Sequence, residues 1–295
     1  MSNSALSYQN WLQQTTQQLS VIEAISDAKI DAQMLLQYVT QKSSAQLMAF
    51  AETLLSVEQL QTLNQFVQRR LQGEPIAYIV GEKGFWTLDL AVSDKTLIPR
   101  PDTECLVETA LALIAKQFAS EEKLAILDLG TGTGAIALAL AYELQQQKRV
   151  YQVLGVDRIV EAVELAKQNA VRNQLSQVEF IQSNWFSALA KNEKFDLIVS
   201  NPPYIAKDDP HLQQGDVRFE PLSALVAENN GLADIEHIIQ TAKEFIQQQG
   251  WLLIEHGWQQ AEIVQTLFQQ YHWQNVQTVK DYGGNQRVTF AQWNG

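Results

Sequence analysis

Residues 125–134 read Ala-Ile-Leu-Asp-Leu-Gly-Thr-Gly-Thr-Gly, an apolar run that ends in three closely spaced glycines. The apolar run is typical of a buried β-strand. The glycines let the backbone turn sharply and approach a ligand closely. In an open α/β sheet such a turn lies at the carboxyl ends of the strands, where ligands bind. Residues 125–134 therefore predict a strand–turn–helix unit that binds a nucleoside cofactor.

Two nucleoside cofactors are compatible with this loop. Gly130, Gly132 and Ala135 match the G-x-G-x-x-G/A pattern of dinucleotide-binding folds, and Asp157 follows near the expected distance. Gly130, Gly132 and Gly134 equally match the G-x-G-x-G loop of S-adenosylmethionine enzymes. The carboxylate of Asp157, at the end of the next predicted strand, either accepts hydrogen bonds from ribose hydroxyls or caps the following helix. The loop alone does not choose between the two cofactors.

The chain from residue 124 onward alternates short apolar strands with helical patterns. This alternation predicts a mostly parallel sheet covered on both faces. The last two strands are joined by residues 281–285 without a helix, so we expect an antiparallel hairpin at the sheet edge. The predicted strands are 124–129, 153–156, 178–182, 195–200, 251–255, 273–280 and 287–293, with helices at roughly 135–147, 159–173, 231–248 and 258–270.

The part of the chain before residue 102 has a different character. Residues 1–72 repeat apolar side chains at helical spacing and predict a small all-helical N-terminal domain. Residues 73–101 contain glycines and an alternating apolar run, which predict a β-hairpin linker. A helix opens near Pro101, and we expect residues 102–295 to form the catalytic domain.

Composition narrows the classes of partner and site. The net charge of −12 disfavours direct binding to the phosphate backbone of nucleic acids. The single cysteine, Cys105, excludes an intramolecular disulfide and a Cys-rich zinc site, and the four histidines lack metal-ligand spacing, so we expect no metal. No apolar run is long enough to span a membrane, and the start of the chain lacks a secretory signal pattern. We therefore expect a cytoplasmic protein without a membrane partner.

The motif Asn201-Pro-Pro-Tyr204 follows the predicted strand 195–200 and indicates the chemistry. Its prolines make the turn rigid and remove backbone donors. The Asn201 side-chain oxygen and the Pro202 carbonyl then form a pair of acceptors that can take both hydrogens of an amine or amide NH2 group. Tyr204 offers a flat ring for stacking. A dinucleotide enzyme has no use for such a clamp, so the motif favours S-adenosylmethionine.

These residues together resemble the class I S-adenosylmethionine methyltransferases that carry an N-P-P-Y substrate motif. Members of that group methylate adenine N6, guanine N2 or the glutamine N5 of proteins. The longer stretches 74–86, 97–104, 182–186, 209–225 and 281–288 resemble the peptide chain release factor glutamine methyltransferases, the HemK/PrmC family. The resemblance covers essentially the whole chain. It implies a seven-stranded, mostly parallel, doubly wound sheet with a C-terminal antiparallel hairpin, plus the helical N-terminal domain.

The resemblance also implies roles for individual residues. S-adenosylmethionine would be held by Gly130, Thr131, Gly132, Thr133, Gly134 and Asp157, with Trp185 against its adenine and Asn201 near its sulfonium. The substrate glutamine amide would be bound by Asn201, Pro202, Pro203 and Tyr204, of which Asn201, Pro202 and Tyr204 are the expected catalytic residues. Members commonly carry Asp at the position of Asn184. The Asn in this chain weakens one expected contact, the hydrogen bond accepted from the adenine amino group.

The resemblance implies methyl transfer to the glutamine of the Gly-Gly-Gln motif in peptide chain release factors. Residues 1–72 would dock that protein substrate, and we expect the enzyme to be a monomer. The alternatives are a glutamine methyltransferase of a large-subunit ribosomal protein and, against the acidic charge, a nucleic-acid adenine-N6 methyltransferase. The role of Arg100 is undecided from the sequence, since it either positions a ligand or makes a surface ion pair. Glu255-His256 is interpreted as structural.

Overall fold

A computed structural model describes residues 6–22, 25, 27–119 and 123–295 of the 295-residue chain. Residues 1–5, which begin the stretch expected to lack a secretory signal, lie outside the described residues, as do 23, 24 and 26 of the predicted helical domain. The chain forms two compact units. The first comprises the chain up to Gly81 together with Pro210–Phe219, and the second comprises Glu82–Asp209 and Glu220–Gly295.

The first unit is helical and has its own apolar core, in which Leu35, Leu36 and Leu63 are fully buried. The sequence did not indicate its last helix, whose side chains Ile76, Ile79 and Val80 pack into the same core. The helices are α1 (Tyr8–Leu19), α2 (Ala28–Thr40), α3 (Ser44–Ala49), α4 (Val57–Leu71) and α5 (Ile76–Val80).

A buried arginine ties the first unit to a distant part of the sequence. The Arg70 side chain donates through Nε to Asp31 Oδ2 at 2.7 Å and through Nη1 to Asp216 Oδ1 at 3.0 Å. Nη1 also donates to the carbonyls of Gly73 and Glu74. Asp216 lies in residues 210–219, which we call the returning segment because its neighbours in the chain belong to the second unit. A buried guanidinium is tolerated only when carboxylates and carbonyls satisfy it, as here.

The second unit begins with a two-stranded hairpin and continues as an α/β sheet. Within the described residues, seven strands form the sheet in the order β5-β4-β3-β6-β7-β9-β8. The strands are β1 (Glu82–Phe85), β2 (Leu88–Ala91), β3 (Leu124–Leu129), β4 (Tyr151–Asp157), β5 (Glu179–Gln182), β6 (Phe195–Ser200), β7 (Ile246–Glu255), β8 (Gln274–Lys280) and β9 (Gln286–Gln292). The helices are α6 (Pro101–Gln117), α7 (Ala135–Gln146), α8 (Val160–Arg172), α9 (Leu222–Leu225), α10 (Glu228–Gly231), α11 (Ala233–Ala242) and α12 (Ala261–Gln270).

The architecture confirms the predicted fold class. Strands β5, β4, β3, β6 and β7 are parallel, and β9 pairs antiparallel with both β7 and β8. One predicted boundary is wrong: the helix expected to reach residue 248 ends at Ala242, and β7 begins at Ile246. The reason is tertiary, because Ile246 is buried and pairs with Phe195 on β6. Nowhere in the part of the chain that is described does a helix combine the length and apolarity needed to cross a membrane.

A fully buried amide, that of Asn169, joins the hairpin to α8 and to the glycine loop. Asn169 on α8 accepts from the Ala91 N–H at 2.7 Å and donates to the Ala91 carbonyl at 3.0 Å. The same Nδ2 donates to the Thr133 carbonyl at 2.9 Å, in the glycine loop after β3. Asn169 therefore connects β2, α8 and the loop that borders the candidate site.

We expect Asn169→Ala to lower the free energy of unfolding by about 2–4 kcal/mol, because three hydrogen bonds are lost and buried backbone groups are left without partners. Urea denaturation measures the change. Lys167→Ala on the same helix is the matched control, since Lys167 makes an exposed ion pair with Glu164 and should cost no more than about 0.5 kcal/mol. Equal stability of the two variants would contradict this role for Asn169.

Candidate active site

A cavity lies at the carboxyl ends of the parallel strands. Its volume is about 900 Å³ when the space open to solvent is included. This end of the sheet is the edge at which open α/β sheets bind ligands, and the volume lies within the usual range for small-molecule sites. Among the predicted site residues, the cavity is lined by Gly130, Thr131, Gly132, Thr133, Asp157, Trp185, Asn201 and Pro203. Gly134, Pro202 and Tyr204 are not among its lining residues in the described chain.

The glycine loop after β3 has the backbone that its sequence predicted. Gly130, Gly132 and Gly134 have φ values of 72°, 54° and 82°, in the left-handed region that favours glycine. A Cβ on Gly132 would meet no atom within 4 Å, so the loop leaves that side open. A Cβ on Gly134 would lie 3.2 Å from atoms of Ala166 and Phe180, so this glycine lets α7 start close to the sheet.

Asp157 at the end of β4 is not the N-cap of the following helix, since Ile159 holds that position in α8, and its contact to ribose stays a prediction. Its Oδ1 accepts from the Ile159 N–H at 2.9 Å, just before α8, and its Oδ2 accepts from the Gly132 N–H at 2.9 Å. Each carboxylate oxygen keeps further acceptor capacity, and the residue lines the cavity. Burial raises the pKa of Asp157 against these hydrogen bonds, which lower it. The carboxylate thus shapes the glycine loop and remains available to a ligand.

Trp185 forms one wall of the cavity. Its indole lies over the glycine loop, since a Cβ on Gly130 would be 3.4 Å from Trp185 Cζ3. The backbone of Trp185 has a φ of 51°, and its side chain hydrogen-bonds to Asp234. Asn184 lines the same cavity. The flat indole above a glycine turn offers a stacking surface for a planar ligand.

The Asn201-Pro-Pro-Tyr204 turn presents two open acceptors. Asn201 Nδ2 donates to Thr103 Oγ1 at 3.2 Å, so the amide is anchored through its nitrogen. Asn201 Oδ1 and the Pro202 carbonyl accept no hydrogen bond from the described residues. The Tyr204 side chain is partly buried, and burial raises the pKa of its phenol. Asn201 lines the cavity and Pro202 does not, so the joint use of the two acceptors stays a prediction.

Three further residues of this region bear on the site, and of these Thr103 was not singled out in the sequence. Thr103 lines the cavity and anchors Asn201. Arg100 also lines the cavity and forms an ion pair with Glu220, whose side chain is buried, so the ion pair is not the surface pair that the sequence suggested, and a role in positioning a ligand stays a prediction. Glu255, at the end of β7, is 1% exposed, and burial raises its pKa to about 7. The only sequence signal for Glu255 was its position at a strand end.

A second buried carboxylate lies beneath the glycine loop. Asp128 is fully buried, and its Oδ2 accepts from Thr131 Oγ1 at 2.7 Å and from the Ala137 N–H at 3.2 Å. Its Oδ1 has no hydrogen-bond partner among the described residues. Burial raises the pKa of Asp128 to about 7, against the two hydrogen bonds that lower it. The loop is therefore built over a carboxylate whose ionisation is unfavourable.

Comparison with known proteins gives matches along nearly the whole chain. A methyltransferase domain model matches residues 120–293, and a PrmC N-terminal domain model matches residues 10–81. The release factor glutamine methyltransferase of Pasteurella multocida is 56% identical over 98% of this chain and 100% of the relative. Its counterpart in Escherichia coli is 49% identical over 98% of this chain and 99% of the relative. A methyltransferase structure from Pyrococcus furiosus shares the fold, with a TM-score of 0.52 and 18% identity over 77% of this chain and 97% of that one.

We expect Asp128→Asn to flatten the pH dependence of stability. The pKa of Asp128 is raised in the fold from 3.8 to about 7, so its stabilising contribution is present at low pH and is lost as the pH rises through about 7. Between about pH 5 and about pH 8 the wild type should lose about 2–3 kcal/mol of unfolding free energy that the Asn variant retains.

Urea denaturation at the two pH values measures this difference. The unfolding free energies of each protein at the two pH values are compared with each other. Any pH-independent destabilisation by the new amide therefore cancels. Identical pH dependence in the two proteins would show that Asp128 does not carry the buried charge.

Proposed function

The chain belongs to the release factor glutamine methyltransferase family, and on that premise we propose that it methylates peptide chain release factors. The methyl group passes from S-adenosylmethionine to the side-chain amide nitrogen (N5) of the glutamine in the Gly-Gly-Gln motif. The observation that carries the proposal is the similarity to relatives of that name, which are 56% and 49% identical in sequence over 98% of this chain. The two open acceptors beside the cavity support it.

The residues around the cavity fit S-adenosylmethionine. The open glycine loop accommodates close approach of a ligand, Asp157 has acceptor capacity left for ribose hydroxyls, and Trp185 offers a stacking wall for adenine. Thr131 and Thr133 line the same loop, and Gly134 contributes by letting α7 start close to it. Bound S-adenosylmethionine supplies a methyl group made electrophilic by the positive charge on its sulfur. The proposed chemistry uses no metal.

The turn after β6 positions the nucleophile. An amide nitrogen is weakly nucleophilic because its lone pair is delocalised, so the enzyme gains most by holding it in line with the methyl group. Asn201 Oδ1 and the Pro202 carbonyl accept the two amide hydrogens, which fixes the nitrogen and polarises its N–H bonds. Pro203 makes the turn rigid. Tyr204 supports the turn, since its carbonyl accepts from Gln260 Nε2 at 3.0 Å.

We assign the docking of the release factor to the helical domain predicted over residues 1–72. The acidic chain, with a net charge of −12, suits a protein substrate better than the phosphate backbone of a nucleic acid. The enzyme acts as a monomer in the cytoplasm and needs no direct nucleic-acid contact. Sedimentation of the purified protein, alone and with a release factor, tests the monomer and the docking.

Methyl transfer is tested with isotopically labelled cofactor and three purified substrates. We expect label in an intact release factor and none in the same factor after its Gly-Gly-Gln glutamine is changed to alanine. Large-subunit ribosomal proteins and DNA are the comparison substrates for the two alternative functions. Label in either of these, with none in the release factor, would refute the proposed substrate.

We expect Asn201→Ala to lower the rate of methyl transfer by about two to three orders of magnitude, because one of two acceptors that fix the nitrogen is lost. Asn201→Asp should retain more activity than Ala, since a carboxylate still accepts. Single-turnover methylation of saturating release factor measures the rate, with cofactor occupancy confirmed for each variant. An Ala variant as fast as the wild type would mean that other groups hold the nitrogen.

A further inference from the structure

Glu255 lies behind the substrate-binding turn because of the register of two parallel strands. Ser200 on β6 pairs with Ile254 on β7, so Asn201 and Glu255 are the next residues at the same edge. Glu255 is 1% exposed, and its Oε2 has no hydrogen-bond partner among the described residues. Burial of an ionised carboxylate costs free energy of folding unless neighbouring groups pair with it or hydrogen-bond to it.

Thr103 connects this carboxylate to the turn. The side chains of Thr103 and Asn201 both hydrogen-bond to Glu255, and Thr103 Oγ1 accepts from Asn201 Nδ2 at 3.2 Å. A hydroxyl has one proton to donate. If that proton goes to the Glu255 carboxylate, only the lone pairs of Thr103 face Asn201. Asn201 must then turn its nitrogen towards Thr103 and its Oδ1 away from it.

We propose that Glu255 is a positioning residue, which acts directly and through the Thr103 hydroxyl to hold the Asn201 amide with its oxygen available to the substrate. This inference rests on the proposed methyl transfer and adds the group that sets the polarity of the acceptor. An amide in the reverse orientation would present N–H groups to the substrate NH2 and repel it. The hydrogen-bond direction set at Glu255 therefore decides whether the turn accepts or donates.

The relay requires an ionised Glu255. A protonated carboxyl group would donate to Thr103, and the Thr103 hydroxyl would then be free to donate to Asn201 Oδ1. Burial raises the pKa of Glu255 to about 7, while Thr103, Arg287 and Asn201 lower it. The rate should accordingly fall as the pH drops below about 7. The titratable and charged groups that face Glu255 are Asp102 and Cys105 on α6, Tyr204 after β6 and Arg287 on β9; His256, its neighbour in the chain, is also buried.

The Thr103 hydroxyl is tested with matched threonine variants. Thr103→Val, which has nearly the same shape without a hydroxyl, should lower the single-turnover rate on saturating release factor by about 10- to 100-fold. Thr103→Ser restores the hydroxyl and should recover most of that loss. The control is Thr109→Val on the same helix, because Thr109 donates to the Cys105 carbonyl of its own helix at 2.7 Å. It should turn over at the wild-type rate.

The charge is tested through the pH profile. We expect Glu255→Gln to lose the decline in rate below about pH 7 that the wild type shows, with cofactor affinity and melting temperature measured for each protein. A simple structural role would lower stability without changing the profile. Should Glu255→Gln fail to fold, the threonine variants decide alone.

Two results overturn the inference and differ from failure of the proposed function. A wild-type rate for Thr103→Val, or an unchanged decline at low pH in Glu255→Gln, overturns the relay while methyl transfer by the wild type stands. If the wild type transfers no methyl group to release factor, the proposed function fails, and the inference fails with it.

Discussion

The parallel register of β3, β4, β6 and β7 is the constraint on which the site depends. Leu129 pairs with both Val156 and Ser200, and Ser200 pairs in turn with Ile254. The residues that follow these positions therefore emerge at one edge, at the spacing of hydrogen-bonded strands. The glycine loop, Asp157, the Asn-Pro-Pro-Tyr turn and Glu255 are brought together by this backbone ladder and not by nearness in the sequence. A slip of one residue in any pairing would turn the side chains of that strand to the opposite face.

The parts of the site that are local in sequence were predictable, and the parts that depend on distant contacts were not. The glycine loop and the rigid turn are each formed by consecutive residues with strong backbone preferences. The orientation of the Asn201 amide depends on Thr103, 98 residues away. Helix α11 was predicted too long for the same kind of reason, because the polar run before Gly250 reads as a helix surface until Ile246 is paired with Phe195. Strand and helix types followed from local pattern, whereas this boundary and the anchoring contacts followed from packing.

The structure uses one device under both functional loops. In each case a carboxylate is buried at the end of a strand and hydrogen-bonds to a threonine hydroxyl: Asp128 to Thr131, and Glu255 to Thr103. Burial raises the pKa of both carboxylates to about 7. Such groups oppose folding, and proteins tend to keep them where function requires a defined hydrogen-bond direction. The two loops that would hold the cofactor and the substrate thus have matching supports beneath them.

The contact between Arg70 and the returning segment bears on how this architecture can be recombined. The two residues of the pair, Arg70 and Asp216, are 146 positions apart, and the chain leaves the first unit and re-enters it between them. A chimera made by joining residues 1–81 of one family member to the remainder of another would bury an arginine against a foreign returning segment. Exchange of the helical unit at one crossing alone preserves this ion pair only if the other parent also carries an acid at the position of Asp216. A single crossover between residues 81 and 210 of this gene would separate the two partners of the pair.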